Sequence, residues 1–173
     1  GLCGTMSVGK TTLVNALKKT KQFKNYNFAT ERSQHLMSLG IPLNTDSTLK
    51  GQTVFLAERC GELMTENIIT DRTVIDVMAF TLNAKSIHHR DKELFETYAS
   101  EFVREYDYIF YISPYGLEIE DNGVRETDEY YRDLIDFTIT TLIKRHGHKA
   151  GKLEKISGST EERIEQILNI TGL

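Results

Sequence analysis

The chain has 173 residues, 39% of them hydrophobic, with two cysteines and a formal net charge of −4; that length and apolar share suit one compact domain with a real core. A pI near 5.8 argues against a general nucleic-acid binder, which needs clustered Lys and Arg to neutralise phosphates. Cys3 and Cys60 show no metal-ligand spacing, no stretch nears the roughly 20 apolar residues that span a bilayer, and no signal-peptide pattern is present. A soluble protein in a reducing, cytoplasmic setting, without disulfides, zinc or a membrane partner, is therefore expected.

The chain opens on its most informative stretch. Gly4-Thr5-Met6-Ser7-Val8-Gly9-Lys10-Thr11 matches the pattern G-x-x-x-x-G-K-[ST] at every fixed position. The glycines let the backbone curl so that successive N–H groups face phosphate oxygens. Lys10 then reaches the outer phosphates and the Thr11 hydroxyl can ligate Mg²⁺. A helix starting at Lys10 adds its positive N-terminal end, and Leu13, Val14 and Leu17 give that helix an apolar face as far as about Lys19. A buried strand of about five residues normally runs into such a loop. Only Gly1, Leu2 and Cys3 precede Gly4, so further residues upstream are expected.

Tyr26 to Thr30 alternates like a strand and delivers Glu31-Arg32 at its carboxyl end. A short helix from Ser33 to Leu39 closes at Gly40, and a polar linker at residues 44–48 leads into a helix from Leu49 to about Thr65. The β-branched run Asn67 to Thr70 is a third strand, ending at Asp71-Arg72-Thr73. A helix from Val74 to Asn83 and a basic segment from Lys85 to Arg90 follow. From Asp91 to Glu105 the apolar residues Leu94, Phe95, Tyr98, Ala99, Phe102 and Val103 recur as one helical face. On this reading Tyr98 and Phe102 are core, and His88 and His89 are surface groups.

Tyr108 to Ile112 is nearly all apolar, as a buried parallel strand should be. The polar segment from Ser113 to Thr127 precedes a long helix from Asp128 to Lys144. Leu153 to Ile156 is a last strand, and Ser159 with Glu162 forms a capping box that opens the final helix. Strands alternate with helices throughout, which predicts a parallel sheet between two helical layers, an α/β architecture. In such sheets ligands gather at the carboxyl ends of the strands.

That rule defines the candidate site. Glu31 is placed to accept a proton from an acceptor hydroxyl, or else to be an acid favoured at a helix N-terminus. Asp71 is placed to hold Mg²⁺, and it could at the same time cap the following helix, which is also the bland reading of it. Arg72 beside it supplies a cation for acceptor or phosphate. Asp121-Asn122-Gly123-Val124-Arg125, with Arg132 about two turns on, reads as a lid carrying arginines, spanning roughly residues 113–132. The alternative is an ordinary loop in which Arg125 pairs with Glu118, Glu120 or Asp121, contacts that add little stability. Gln52 either presents its amide to a nucleobase or is a solvated helix residue.

Together these motifs resemble the P-loop nucleoside and nucleotide kinases, and among them the ribosylnicotinamide-kinase-like and phage nucleotide-kinase ATPases; the likeness to deoxynucleoside kinases is more distant. The residues carrying it are Gly4 to Thr12, Thr30-Glu31-Arg32, Gln52 to Leu56, Asp71-Arg72-Thr73, Asp121 to Arg125 and Ser157 to Arg163. The resemblance implies one three-layer kinase domain with a five-stranded parallel sheet in the order 2-3-1-4-5. It further implies ATP as donor with Mg²⁺ as cofactor, the metal on Thr11 and Asp71, and Gly158 and Ser159 near the adenine. Glu31 is similar in position to the general base and Gln52 to the base-reading glutamine, with Arg32 and Arg72 beside the acceptor and Arg125 and Arg132 on the lid. Arg32 stands where deoxynucleoside kinases have a proline after the base, and the lid spacing also differs.

The expected activity is therefore phosphoryl transfer to a small nucleoside-like acceptor. A polynucleotide or modified-base DNA kinase is the alternative that the basic Lys85–Lys92 run suggests. A regulatory nucleotide switch fits less well, because no guanine-specificity motif of the N-K-x-D kind follows the fourth strand. The oligomeric state is left open.

Overall fold

The computed structural model describes residues 1–30, 33–117 and 128–173. Among them, strands and helices alternate as β1 (Leu2–Cys3), α1 (Lys10–Leu17), β2 (Asn27–Ala29), α2 (Ser33–Ser38), α3 (Leu49–Glu62), β3 (Ile68–Thr70), α4 (Val74–Asn83), α5 (His89–Ala99), β4 (Tyr108–Ile112), α6 (Glu129–His146), β5 (Lys152–Ile156) and α7 (Thr160–Thr171). All strand pairings are parallel, as the near-continuous apolar run of β4 requires.

The single five-stranded sheet expected in the order 2-3-1-4-5 is corrected. β1, β4 and β5 form a three-stranded sheet in that order, and β2 pairs with β3 in a separate two-stranded one. Leu2 and Cys3 are both engaged with Phe110 and Tyr111 of β4, and the opposite edge makes one isolated bridge, Leu2 to Asp71. The Arg72 N–H donates to the Leu2 carbonyl there at 3.1 Å. Behind the bridge the sheets part around a cavity of about 840 Å³ whose wall includes Leu2, Ile68, Ile69, Tyr108 and Phe110. The bridge still sets the carboxyl ends of β3 and β1 side by side.

Alternation along the strands assigns the two cores. Cys3, Ile109 and Tyr111 face α4 and α6, against Ile75, Met78, Ile135 and Ile139. Leu2, Phe110, Ile112 and Ile156 face α1 and α7, against Leu13, Val14, Leu17 and Ile167. Side chains on successive strand residues point to opposite faces, so one strand feeds both helical layers.

Two helices depart from expectation. The run predicted as one helix to Glu105 is α-helical only to Ala99 and then tightens into a 3-10 turn over Ser100–Glu105. Its apolar residues also divide. Phe95, Ala99 and Val103 are buried, whereas Leu94 and Tyr98 are 60% and 64% exposed. The two rows sit one residue apart around the helix; the second row packs into the α4 side of the core, and of the first row Phe102 alone, partly buried, packs against it among the described residues. Tyr98 is thus not core; its ring stands edge-on to Phe102 with centroids 5.3 Å apart. α3 ends at Glu62, leaving Met64 exposed. His88 and His89 are exposed, and His88 caps α5 by accepting from the Arg90 N–H. No helix among the described residues is long and apolar enough to cross a membrane.

Candidate functional site

The site forms where β1, β3 and β4 end. β1 runs directly into Gly4, whose φ is +155° and whose absent Cβ would lie 2.5 Å from the Ile112 carbonyl oxygen, so no larger residue fits. The loop then turns through Ser7 at φ 57° and Gly9 at φ 80°. Gly9 occupies the cap position of α1 and no side chain caps the helix. The first-turn N–H groups of α1 are therefore available to an anion, with the helix dipole behind them. Met6 and Val8 turn their side chains into the core and are 2% and 1% exposed, so any contact of theirs with a ligand is through the backbone. Thr12 is exposed.

Lys10 is 6% exposed. Its ammonium donates to the Gly4 and Thr5 carbonyls at 2.6 and 2.7 Å. Burial, and then the nearby Arg72 charge, hold its pKa below that of an ordinary lysine, while Asp76 and Asp71 act in the opposite sense. Beside it the Thr11 hydroxyl donates to Asp71 Oδ2 at 2.5 Å. Asp71 is 1% exposed, and its Oδ1 has no hydrogen-bond partner among the described residues. Residues Met6 to Thr11, Asp71 and Arg72 line one small cleft.

The capping role considered for Asp71 is filled by another residue. Asp71 does not cap α4. Thr73 is the cap, accepting from the Ile75 N–H, and Asp76 completes the capping box. Asp71 has a hydroxyl on one oxygen and, among the described residues, no hydrogen-bond partner on the other, an arrangement that suits a hard divalent cation bound by few protein oxygens. Among the described residues no three His, Cys, Asp or Glu side chains gather as a metal cluster. A Mg²⁺ site here would thus rest on Thr11, Asp71, phosphate oxygens and water, the usual composition where a nucleotide supplies ligands.

Arg72 has φ 104°, an unusual value for a residue with a long side chain. Its guanidinium lies over the Phe80 ring, 5.1 Å from the centroid. The N–H bond to Leu2 on one side and the capping box on the other hold this conformation. Strained backbone that persists because its surroundings fix it is concentrated at ligand sites.

Other predicted residues fall as follows. Gln52 lies on α3 and is 4% exposed, which removes the solvated-surface reading. Arg132 touches the loop only through its carbonyl, which accepts from the Thr5 hydroxyl at 3.2 Å; its guanidinium donates to the Leu117 carbonyl at 2.7 Å. Ser159 caps α7 and Gly158 precedes it, with the expected capping box to Glu162. Glu31, Arg32 and Arg125, with the rest of the Asp121 to Arg125 segment, lie outside the described residues.

Three further residues support the site: Arg163, which the sequence marked only as the end of the Ser157 to Arg163 stretch, and Arg59 and Asp76, to which it gave no role. Arg163 of α7, 6% exposed, donates to the Val8 carbonyl at 2.8 Å. Arg59 of α3 donates to the Asp71 carbonyl at 3.2 Å and to Glu62. Asp76 accepts from the Gly4 N–H at 3.0 Å. Arg163 did leave a trace: a cation in the first turn of a helix opposes the dipole, so it needs another reason to be there.

Residues 2–163 match the sequence profile of the AAA domain family, and the chain belongs to that family. No curated protein matches it. Among solved structures it is similar to deoxyadenosine kinase from M. mycoides with dCMP and a flexible dCDP bound. The TM-score is 0.69 at 18% identity, covering 99% of this chain and 96% of that one. The same enzyme with bound dCTP gives 0.66 at 18% identity, covering 99% and 97%. The YorR protein of Bacillus subtilis, in complex with phosphorylated GDP, gives 0.58 at 15% identity, covering 99% and 94%. At these identities the likeness establishes an α/β fold of the P-loop kinase type.

Proposed function

We propose that the protein is an ATP- and Mg²⁺-dependent phosphotransferase, a single kinase domain acting on a nucleoside, nucleotide or nucleoside-like acceptor. The observation that carries this reading is the contact between Thr11 and Asp71. It joins the glycine-rich loop to an acid at the end of a different strand, with one carboxylate oxygen lacking a hydrogen-bond partner among the described residues and Arg72 adjacent. The nucleotides named in the similar solved structures support the same class of ligand. The finer placement near ribosylnicotinamide-kinase-like and phage nucleotide-kinase ATPases rests on the sequence motifs.

In this reading the loop N–H groups and the first turn of α1 bind the donor phosphates. Lys10 exchanges its bonds to Gly4 and Thr5 for phosphate oxygens, and Thr11 with Asp71 holds the metal. The bound cation would supply charge neutralisation between the phosphates. Glu31 takes the acceptor's proton, Arg72 and Arg32 bind the acceptor, and Gln52 presents its amide to a base. Arg125 and Arg132, on a lid around residues 113–132, neutralise charge on the moving group; for Arg132 this requires release from Leu117. Gly158 and Ser159 border the adenine.

The deciding experiment is a labelled-phosphate transfer screen from ATP across nucleosides, nucleoside monophosphates, ribosylnicotinamide and DNA or RNA ends. Transfer to at least one small acceptor is expected. Phosphate release that no acceptor alters would favour a switch, and transfer only to polynucleotide ends would favour the alternative acceptor. Within the active case, Glu31→Gln should lower turnover by about 10²–10⁴, the range for loss of a general base, with ATP affinity kept. Loss of ATP affinity in parallel with turnover would reassign Glu31 to the metal or to the fold.

A further inference from the structure

We propose that Asp76 is a positioning residue for the glycine-rich loop: it fastens the first residue of the loop to the turn that carries Asp71 and Arg72. Asp76 is fully buried at 0% exposure. Its two carboxylate oxygens do different work. Oδ2 accepts from the Thr73 N–H and hydroxyl, both at 2.8 Å, which is all that the capping box of α4 requires. Oδ1 accepts from the Gly4 N–H at 3.0 Å, across 72 residues of sequence. Nothing in helix capping calls for that second bond.

Its location gives it consequence. Gly4 is the residue at which β1 passes into the loop, and a Cβ there would lie 2.5 Å from the Ile112 carbonyl oxygen. On the other side, Thr73 directly follows Arg72, whose positive φ is maintained between Leu2 and the capping box. One carboxylate therefore ties the residue that begins the loop to the segment that presents Asp71. Next to the Leu2 to Asp71 bridge, the Asp76 link adds a second restraint on how far the loop sits from Asp71, and hence on the Thr11 to Asp71 contact. A charge-assisted bond in a buried site is strong enough for that role.

The inference rests on the proposed nucleotide site for its consequence, but the restraint itself can be tested without a ligand. Asp76→Asn keeps shape and can accept on only one atom. Thr73→Val removes the capping hydroxyl and leaves the Gly4 bond intact. Amide hydrogen exchange is followed in peptides covering residues 1–13 of the ligand-free protein. Asp76→Asn should speed exchange there by about tenfold or more, as loss of a bond to a charged group implies, whereas Thr73→Val should not. Both variants should lower the thermal midpoint. With ATP and Mg²⁺, Asp76→Asn should also weaken nucleotide binding and raise the Mg²⁺ requirement beyond Thr73→Val.

Equal acceleration in the two variants, or wild-type exchange in Asp76→Asn, would reduce Asp76 to a helix cap and overturn the proposal. If Asp76→Asn is too unstable to purify, Asp76→Glu retains a capping-box acid with its carboxylate displaced. It should loosen the same peptides, and failure to do so overturns the proposal equally. Failure of the nucleotide-site reading looks different: ATP would protect no loop amides in the wild-type protein while Asp76→Asn still accelerated their exchange.

Discussion

Lys10→Ala is expected to cut transfer from ATP to about a thousandth of the wild-type rate or below. Removing one donor aimed at developing charge typically costs 10²–10³, and Lys10 also neutralises the donor phosphates. The ammonium lies 2.6 and 2.7 Å from the Gly4 and Thr5 carbonyls, so Ala also leaves two buried acceptors unpaired, each worth about 1–3 kcal/mol. Lys10→Met separates the effects, because it fills the space without the charge. The pH dependence of stability gives an independent readout. Burial lowers the Lys10 pKa in the folded protein, so between that value and the ordinary one of about 10.4 the unfolded chain binds more protons than the folded one. Its contribution to stability therefore grows as pH rises through that window. Buried Cys3 and Tyr106, whose pKa values are raised by desolvation, act in the opposite sense in both proteins, so the readout is the difference in urea-unfolding free energy between wild type and Lys10→Met, which should grow across that window. Near-normal turnover in either variant would sink the proposed role of the loop.

Much of the layout was legible because it is local. α4 was expected from Val74 to Asn83 and β4 from Tyr108 to Ile112, and both fall within those limits. The Ser159 and Glu162 capping box was readable for the same reason: its two partners are three residues apart. What the sequence hid depends on neighbours. Whether Tyr98 or Ala99 faces inward turns on one residue's rotation about α5, and only the position of α4 decides it. In the site, the motif residues were visible as motifs, but their supports were not. Gly4 with Asp76, Val8 with Arg163 and Asp71 with Arg59 are bonds between segments far apart or between backbone and side chain. No periodicity encodes such pairs. Asp71 shows the limit most sharply, since capping and metal holding make the same demand on one sequence position, and only the identity of the actual cap, Thr73, separates them.

Asp71→Asn tests that separation, and its expected result has two halves. Turnover should fall by about 10² or more. Loss of a residue that merely orients a metal ligand already costs 10–100-fold, and Asp71 is proposed to hold the cation itself. The Mg²⁺ concentration for half-maximal activity should rise while the acceptor KM stays near its original value, because Arg72 and Gln52 are untouched. Stability should not fall with activity. Asp71 is 1% exposed, with one oxygen on Thr11 and the other without a hydrogen-bond partner among the described residues. A buried carboxylate with one oxygen unsatisfied among the described residues costs the folded state, whereas its charge favours the ammonium of buried Lys10; asparagine removes both effects at nearly constant volume while its oxygen can still accept from Thr11. The two changes oppose each other, so the thermal midpoint of the metal-free variant should hold close to level, as when a site is kept for function rather than for stability. A residue retained for folding predicts the reverse. A drop of more than about 2 kcal/mol, the scale of a lost buried bond, with an unchanged Mg²⁺ requirement would assign Asp71 to the junction between the two sheets instead.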